Sequence, residues 1–150
     1  MRYIVCERPG KFLLKEKEAP VRKNNEALLQ VNKVGVCGTD LHAYAGNQAF
    51  FEYPKILGHE LATEVIAIGK NSKGIRNGDR VVVMPYVNCG LCFACTNSKT
   101  NCCENISVIG VHGDGGMQEQ ISIPDKLLLP ANNLTDDQIA IVEPLAIGVH

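Results

Sequence analysis

The chain has 150 residues, 15 Lys plus Arg against 16 Asp plus Glu, 45% hydrophobic and 21% charged residues, and seven cysteines, the composition of one ordinary globular domain. A domain of this size buries roughly 68–70% of the surface of its unfolded chain, so its cysteines are not needed as disulfide staples. A net charge of −1 with no block of like charges leaves no electrostatic footprint for nucleic acid or an anionic membrane, and no stretch approaches the roughly eighteen consecutive apolar residues of a spanning helix.

In chain order, the first half reads as short β-like runs divided by turn residues. Arg2 to Cys6, Phe12 to Lys15 and Ala27 to Val36 are expected strands, with Pro9-Gly10 and Lys23-Asn24-Asn25 as punctuation. Cys6 lies inside a strand pattern and reads as a small buried hydrophobe. Leu61 to Ile68 and Arg80 to Met84 follow, rich in Val and Ile and bounded by Gly69, Asn77-Gly78 and Pro85. Residues 86–105 then form a loop dense in Cys, Asn, Ser, Thr and Lys, too long to be idle. Gln118 to Ile123 and Leu127 to Leu129 are further strands. Thr135-Asp136-Asp137-Gln138 is a capping-box signature that should open a helix, continued by Ile139 to Leu145 with a break or restart at Pro144. The chain runs to His150 with no Gly or Asn cap, which predicts a truncated chain whose residues 135–150 begin a connecting helix. Much irregular β structure with little helix predicts a compact, barrel-like β domain.

The amino terminus is charged at Arg2, Glu7 and Arg8, too soon for a secretory segment. Five of the seven cysteines fall between Cys89 and Cys103, and the total is odd. That fits reduced thiolates around a metal in a cytoplasmic protein better than a disulfide framework. Cys89-x2-Cys92-x2-Cys95-x7-Cys103 can wrap one zinc ion in a tetrahedron, with each sulfur at about 2.3 Å. Four thiolates leave no open position, so this site is structural. An iron–sulfur cluster of the bacterial ferredoxin kind would need a x3 gap and a Cys-Pro, and both are absent from the loop. Spacing alone leaves Cys102 and Cys103 equally able to close the loop.

A second constellation runs Gly35-Val36-Cys37-Gly38-Thr39-Asp40-Leu41-His42, with Gly58-His59-Glu60 further on. In Val142-Glu143-Pro144-Leu145-Ala146 a carboxylate stands in an apolar helix, where an unpaired charge is costly and a cation is the simplest partner. With these residues, Gly78-Asp79-Arg80-Val81, Glu143-Pro144-Leu145 and the four-cysteine lobe with Asn101 two before Cys103, the whole chain resembles the zinc-dependent medium-chain alcohol and polyol dehydrogenases. The resemblance favours Cys103 over Cys102. Glu143 stands where other alcohol dehydrogenases carry a second cysteine, which points to the branch acting on sorbitol, threonine and sugar acids. The stretch Ser107 to Gly116 is similar to galactonate-type sugar-acid dehydrogenases. One departure is Thr63, which stands three residues after Glu60 where the family usually has Gly, so close backbone packing there is in question. No Gly-x-Gly-x-x-Gly follows a strand, so the family's Rossmann domain is not in this chain.

The resemblance implies a GroES-like, partly open β-barrel with a few short helices and a zinc lobe at 86–105. It further implies two zinc ions, one structural and one catalytic. Cys37, His59 and Glu143 would hold the catalytic ion with Glu60 as an exchangeable fourth ligand. Thr39 and His42 would relay the proton, and Asp40 would orient His59 by accepting from its second ring nitrogen. The bland readings are a turn residue for Thr39, a helix cap for Asp40 and a surface histidine for His42. The expected reaction is oxidation of a polyol or sugar-acid alcohol with NAD(P), NAD favoured, by a homo-oligomer when full length. The 150-residue chain alone is expected to be inactive. The rivals are a zinc hydrolase, which lacks a second histidine at helical spacing from His59-Glu60, and a zinc-stabilised interaction module without chemistry.

Overall fold

The computed structural model describes residues 1–49 and 51–150. The chain opens with an antiparallel hairpin of β1 (Arg2–Arg8) and β2 (Lys11–Glu16), turned at Pro9-Gly10, where Gly10 takes φ +73°. A residue without Cβ adopts that left-handed conformation at little cost. The main sheet has five antiparallel strands in the order β8 (Gln120–Pro124), β3 (Glu26–Gly35), β4 (Glu60–Ile68), β5 (Arg80–Val83) and β9 (Leu128–Pro130). A two-stranded ribbon, β6 (Tyr86–Val87) with β7 (Ser107–Val108), spans the cysteine-rich segment. The five-stranded sheet does not close on itself, in keeping with a partly open barrel. The expected strands all form, their ends moved by one or two residues.

Burial follows the period of two that a half-buried strand demands. On β3 the buried Ala27 and Leu29 stand opposite Ile123 and Ile121 of β8, and these cross-strand pairs join Leu61, Val65, Val81, Val83 and Leu128 in the core. The start of β4 is buried on both faces, because Ala62 packs with Val82, Ala131, Ile139 and Ala140 beneath α3 (Asp136–Ala140). A strand covered on both sides loses its polar alternation, which is why residues 61–68 read as a nearly continuous apolar run. Thr63 keeps its place there: it is fully buried, and its hydroxyl donates to the Val81 carbonyl at 2.9 Å. Cys6, also fully buried, packs with Ala43 and Leu57 as the small hydrophobe expected.

Helices decorate the sheet. The capping box forms as the sequence requires: Gln138 N donates to Thr135 Oγ1 at 3.3 Å, and Thr135 N donates to Gln138 Oε1 at 2.9 Å. Of the break or restart expected at Pro144, the structure shows the restart: the helix is interrupted at Ile141 (φ −90°, ψ 0°), which separates α3 from α4 (Val142–Val149). Pro144 sits in the first turn of α4, where backbone N–H groups have no partner within the helix and a missing one does no harm. The sequence reading did not foresee α1 (Gly38–Ala45), because only Asp40 and Ala43 of its eight residues are buried. An apolar stripe that narrow carries no helical periodicity. Inside the cysteine-rich lobe lie α2 (Phe93–Thr96) and a 3₁₀ turn, Thr100–Cys102.

Leu29 is fully buried at the centre of the sheet. Its replacement by Ala is expected to destabilise the domain by about 2–5 kcal/mol, read as a lowered midpoint in equilibrium urea unfolding. An unchanged midpoint would show that the core is not where the sheet places it.

Candidate active site and metal clusters

Strand pairing builds the first cluster. Gly35, near the end of β3, pairs with Glu60 at the start of β4, so Cys37 leaves one strand beside the point where His59 and Glu60 enter the other. One ligand atom each from Cys37, His59 and Glu60 lies within 4.8 Å of the others. Cys37 occupies the N-cap position of α1, and His59 and Glu60 are 6% and 8% exposed. Gly35 makes the approach possible, because a Cβ there would lie 2.1 Å from Glu60 Oε2. A loop from Gly113 to Met117 backs the site: Gly115, Gly116 and Met117 donate to the carbonyls of Ile56, Gly58 and Leu57. A Cβ on Gly115 would meet the Gly58 carbonyl oxygen at 2.3 Å, so only glycine permits this contact.

Asp40 does not orient His59. Its Oδ2 accepts from Cys37 N at 3.0 Å and its Oδ1 from Gly58 N at 3.3 Å. The carboxylate of α1 thus pins the backbone on both sides of the cluster, as a helix cap extended to the segment that leads into β4. His59 Nδ1 is buried with no hydrogen-bond partner. Leaving such a group unsatisfied costs about 1–3 kcal/mol. An imidazole nitrogen without a partner, a thiol and a carboxylate in one buried place form a donor set that a zinc ion would satisfy.

The proposed relay residues lie on α1, three positions apart and therefore on one face. Thr39 Oγ1 is 3.6 Å from Cys37 Sγ, at the edge of the cluster. His42 is exposed, and its Nδ1 lies 3.0 Å from Asn47 Oδ1. Among the described residues no hydrogen bond joins Thr39 to His42. Glu143, in the first turn of α4, is buried at 8% exposure but does not join the group of Cys37, His59 and Glu60. The partner of this buried carboxylate is a hydroxyl: Tyr86 Oη donates to Glu143 Oε1 at 2.6 Å. Burial first, then that hydrogen bond and the charges of Glu143 and Cys37, push the Tyr86 hydroxyl far above its ordinary range, so it remains a donor. Sequence reasoning missed Tyr86, and its only signal there was the buried carboxylate in need of a donor.

The second cluster contains Cys89, Cys92, Cys95 and Cys103, with all four sulfurs mutually within 4.8 Å. Cys102 is exposed and outside it, so the structure decides between the two adjacent cysteines. The backbone N–H groups of Leu91 and Cys92 point at Cys89 Sγ and pull its thiol down to about 6. The Asn88 side-chain amide lowers Cys95 in the same way. The Cys89 N–H also pulls on Cys103, but desolvation and the neighbouring thiols outweigh it and push Cys103 up to about 11. Four sulfurs this close cannot all ionise against one another, and a zinc ion removes that conflict. Replacing Cys103 by Ser is expected to abolish zinc retention by the lobe, whereas Cys102→Ser retains it, as measured by elemental analysis after mild chelation. The reverse pattern would overturn this ligand set.

The geometry agrees with comparisons to known proteins. The alcohol dehydrogenase GroES-like domain matches residues 23–133. The chain is similar to L-galactonate-5-dehydrogenase of Escherichia coli K12, 47% identical over 150 residues that cover 100% of this chain and 44% of that protein. It is 34% identical over 139 residues to L-threonine 3-dehydrogenase of Caldanaerobacter subterraneus, covering 90% of this chain and 40% of that one. Its fold superposes on the RspB alcohol dehydrogenase of Escherichia coli CFT073, solved with NADH, at a TM-score of 0.90 and 34% identity, over 99% of this chain and 44% of that structure. The chain therefore spans less than half the length of the curated relatives it matches. The chain belongs to the zinc-type medium-chain dehydrogenase family and corresponds to its N-terminal, GroES-like domain.

Proposed function

We propose that residues 1–150 are the catalytic domain of a zinc-dependent dehydrogenase that oxidises a secondary alcohol of a polyol or sugar acid to a ketone, passing hydride to NAD(P), with NAD favoured. The observation that carries this reading is the group of half-buried Cys37 with buried His59 and Glu60, in which His59 Nδ1 has no hydrogen-bond partner among the described residues. Cys37, His59 and Glu143 are the protein ligands in this reading, and Glu60 is the exchangeable one. Zinc, when bound, supplies the Lewis acidity that lowers the pKa of a hydroxyl in its vicinity.

The chain's own residues do the remaining work. Thr39 Oγ1, beside Cys37, is placed to meet a substrate hydroxyl. With Asn47 Oδ1 accepting from His42 Nδ1, the Nε2 lone pair of His42 is free to take the proton at an exposed position. Asp40 holds Cys37 and Gly58 in place through their backbone N–H groups. The four-cysteine lobe is structural, since four sulfurs leave no position for a substrate. The nicotinamide belongs to the part of the relatives' length that this chain does not span. Similarity to galactonate and threonine dehydrogenases supports a small polar alcohol as substrate. All seven cysteines are free, which supports the cytoplasm as compartment, and no helix among the described residues is long and apolar enough to cross a membrane. A homo-oligomer in the full-length protein is part of the same proposal.

The test is zinc per chain by elemental analysis. Two ions are expected, one of them lost in Cys37→Ser while the lobe keeps its own. A full-length protein with this domain is expected to lose NADH formation from a polyol or sugar acid by at least about 100-fold in the same variant. Two ions retained in Cys37→Ser would exclude the assignment and favour an interaction module.

A further inference from the structure

The two carboxylates of the site are held in different ways. Glu60 lies over Gly35, in the space a side chain there would fill. Glu143 has one oxygen, Oε1, tied at 2.6 Å to the Tyr86 hydroxyl. Tyr86 itself is fixed twice: it pairs with Val108 in the β6–β7 ribbon, and its strand leads within three residues into Cys89 of the second cluster. Between them Asn88 reaches back to Cys95 Sγ. The tyrosine therefore stands on the lobe side of the domain and reaches across to the first turn of α4. It also lines a cavity of about 690 Å³ together with Ile106, Val108, Ala146 and Ile147.

We propose that Tyr86 is a positioning residue for the metal site: its hydroxyl occupies Glu143 Oε1, so that Glu143 offers only Oε2 to an ion held by Cys37 and His59. This rests on the reading of Cys37, His59 and Glu143 as ligands given above. A carboxylate tethered through one oxygen is a fixed, single-oxygen ligand, whereas Glu60 has no such tether among the hydrogen bonds of the structure and is the one that yields. The same tether gives the cysteine lobe a task beyond stability. By anchoring β6, the lobe holds the donor that orients a ligand of the other site. Partners of metal-bound side chains typically change metal affinity by about 10–100-fold when removed.

The experiment compares parent protein, Tyr86→Phe, Glu143→Gln, the double variant and Cys37→Ser by competition titration with a chromophoric zinc chelator and by the visible spectrum of the cobalt(II)-substituted protein. The expected result is a roughly 10–100-fold weaker second zinc in Tyr86→Phe, with the lobe's zinc unchanged and the cobalt band weakened as Glu143 binds through both oxygens. Glu143→Gln should weaken the same ion, and the double variant should be no weaker than Glu143→Gln alone. Parental affinity and spectrum in Tyr86→Phe, with the ion still lost in Cys37→Ser, would overturn the positioning role and leave the catalytic reading standing. Equal loss of both ions in Tyr86→Phe would mean a merely structural tyrosine and would also overturn it. Retention of both ions in Cys37→Ser would remove the catalytic reading and this inference together.

Discussion

The site depends on one constraint, the antiparallel register that sets Gly35 of β3 opposite Glu60 of β4. Because the two strands run in opposite directions, the residue just past the end of one meets the residue just before the start of the other. Cys37 and His59 are 22 positions apart in sequence and adjacent in space for that reason alone. Slipping the pairing by one residue would invert which face every side chain of β4 presents and would move Glu60 out of the group. The register is held by the core pairs of β3 with β8, by Thr63 bonded to Val81, and by the glycine loop zipped along residues 56–58. Stability and chemistry share the same strand.

The two clusters solve opposite electrostatic problems. In the lobe, four sulfurs crowd together on an exposed hairpin, and backbone N–H groups and an asparagine amide already bias Cys89 and Cys95 toward the thiolate. Four sulfurs around one ion would leave that cluster with no open position. The Cys37 group is buried, mixed in charge and incomplete, with a free imidazole nitrogen in its midst. Burial makes its polar groups expensive to leave unpaired and strengthens whatever pairing they achieve. Asp40 spends both of its oxygens on backbone rather than on His59, so order in this site is imposed on the main chain and leaves the imidazole free for a ligand.

Tyr86 stands between the cysteine lobe and Glu143. The strand that enters the cysteine lobe carries the hydroxyl that satisfies Glu143, so a local fold without a core of its own bears on a helix at the far end of the chain. Pairing of β6 with β7 closes residues 86–108 into a ribbon.

Much of this was legible in the sequence, and for a definable reason. Strands, the capping box at Thr135 and the thiol spacing of the lobe are encoded by residues near one another, so period-two burial, Thr135-x-x-Gln138 and Cys-x2-Cys carry them directly. The reading of Cys37, His59, Glu60 and Glu143 as chemistry-bearing residues rests on the resemblance to a family. What the chain's order alone could not express was contact between distant segments. The choice of Cys103 over Cys102 turned on which sulfur faces Cys89. The helix α1 was hidden because it buries only two of its side chains, and its N-terminal Asp40 found a distant backbone partner in Gly58, just before β4. The helix restarts with Pro144 in the first turn of α4, where proline is harmless, and the interruption itself falls at Ile141. By itself the sequence determined most of the strands, the capping box and the cysteine spacing of the lobe, since propensity and short spacings are local. Only the tertiary structure decided that Glu143 answers to Tyr86 and that Glu60 lies over Gly35, because a buried polar group finds its partner through packing rather than through proximity in the chain.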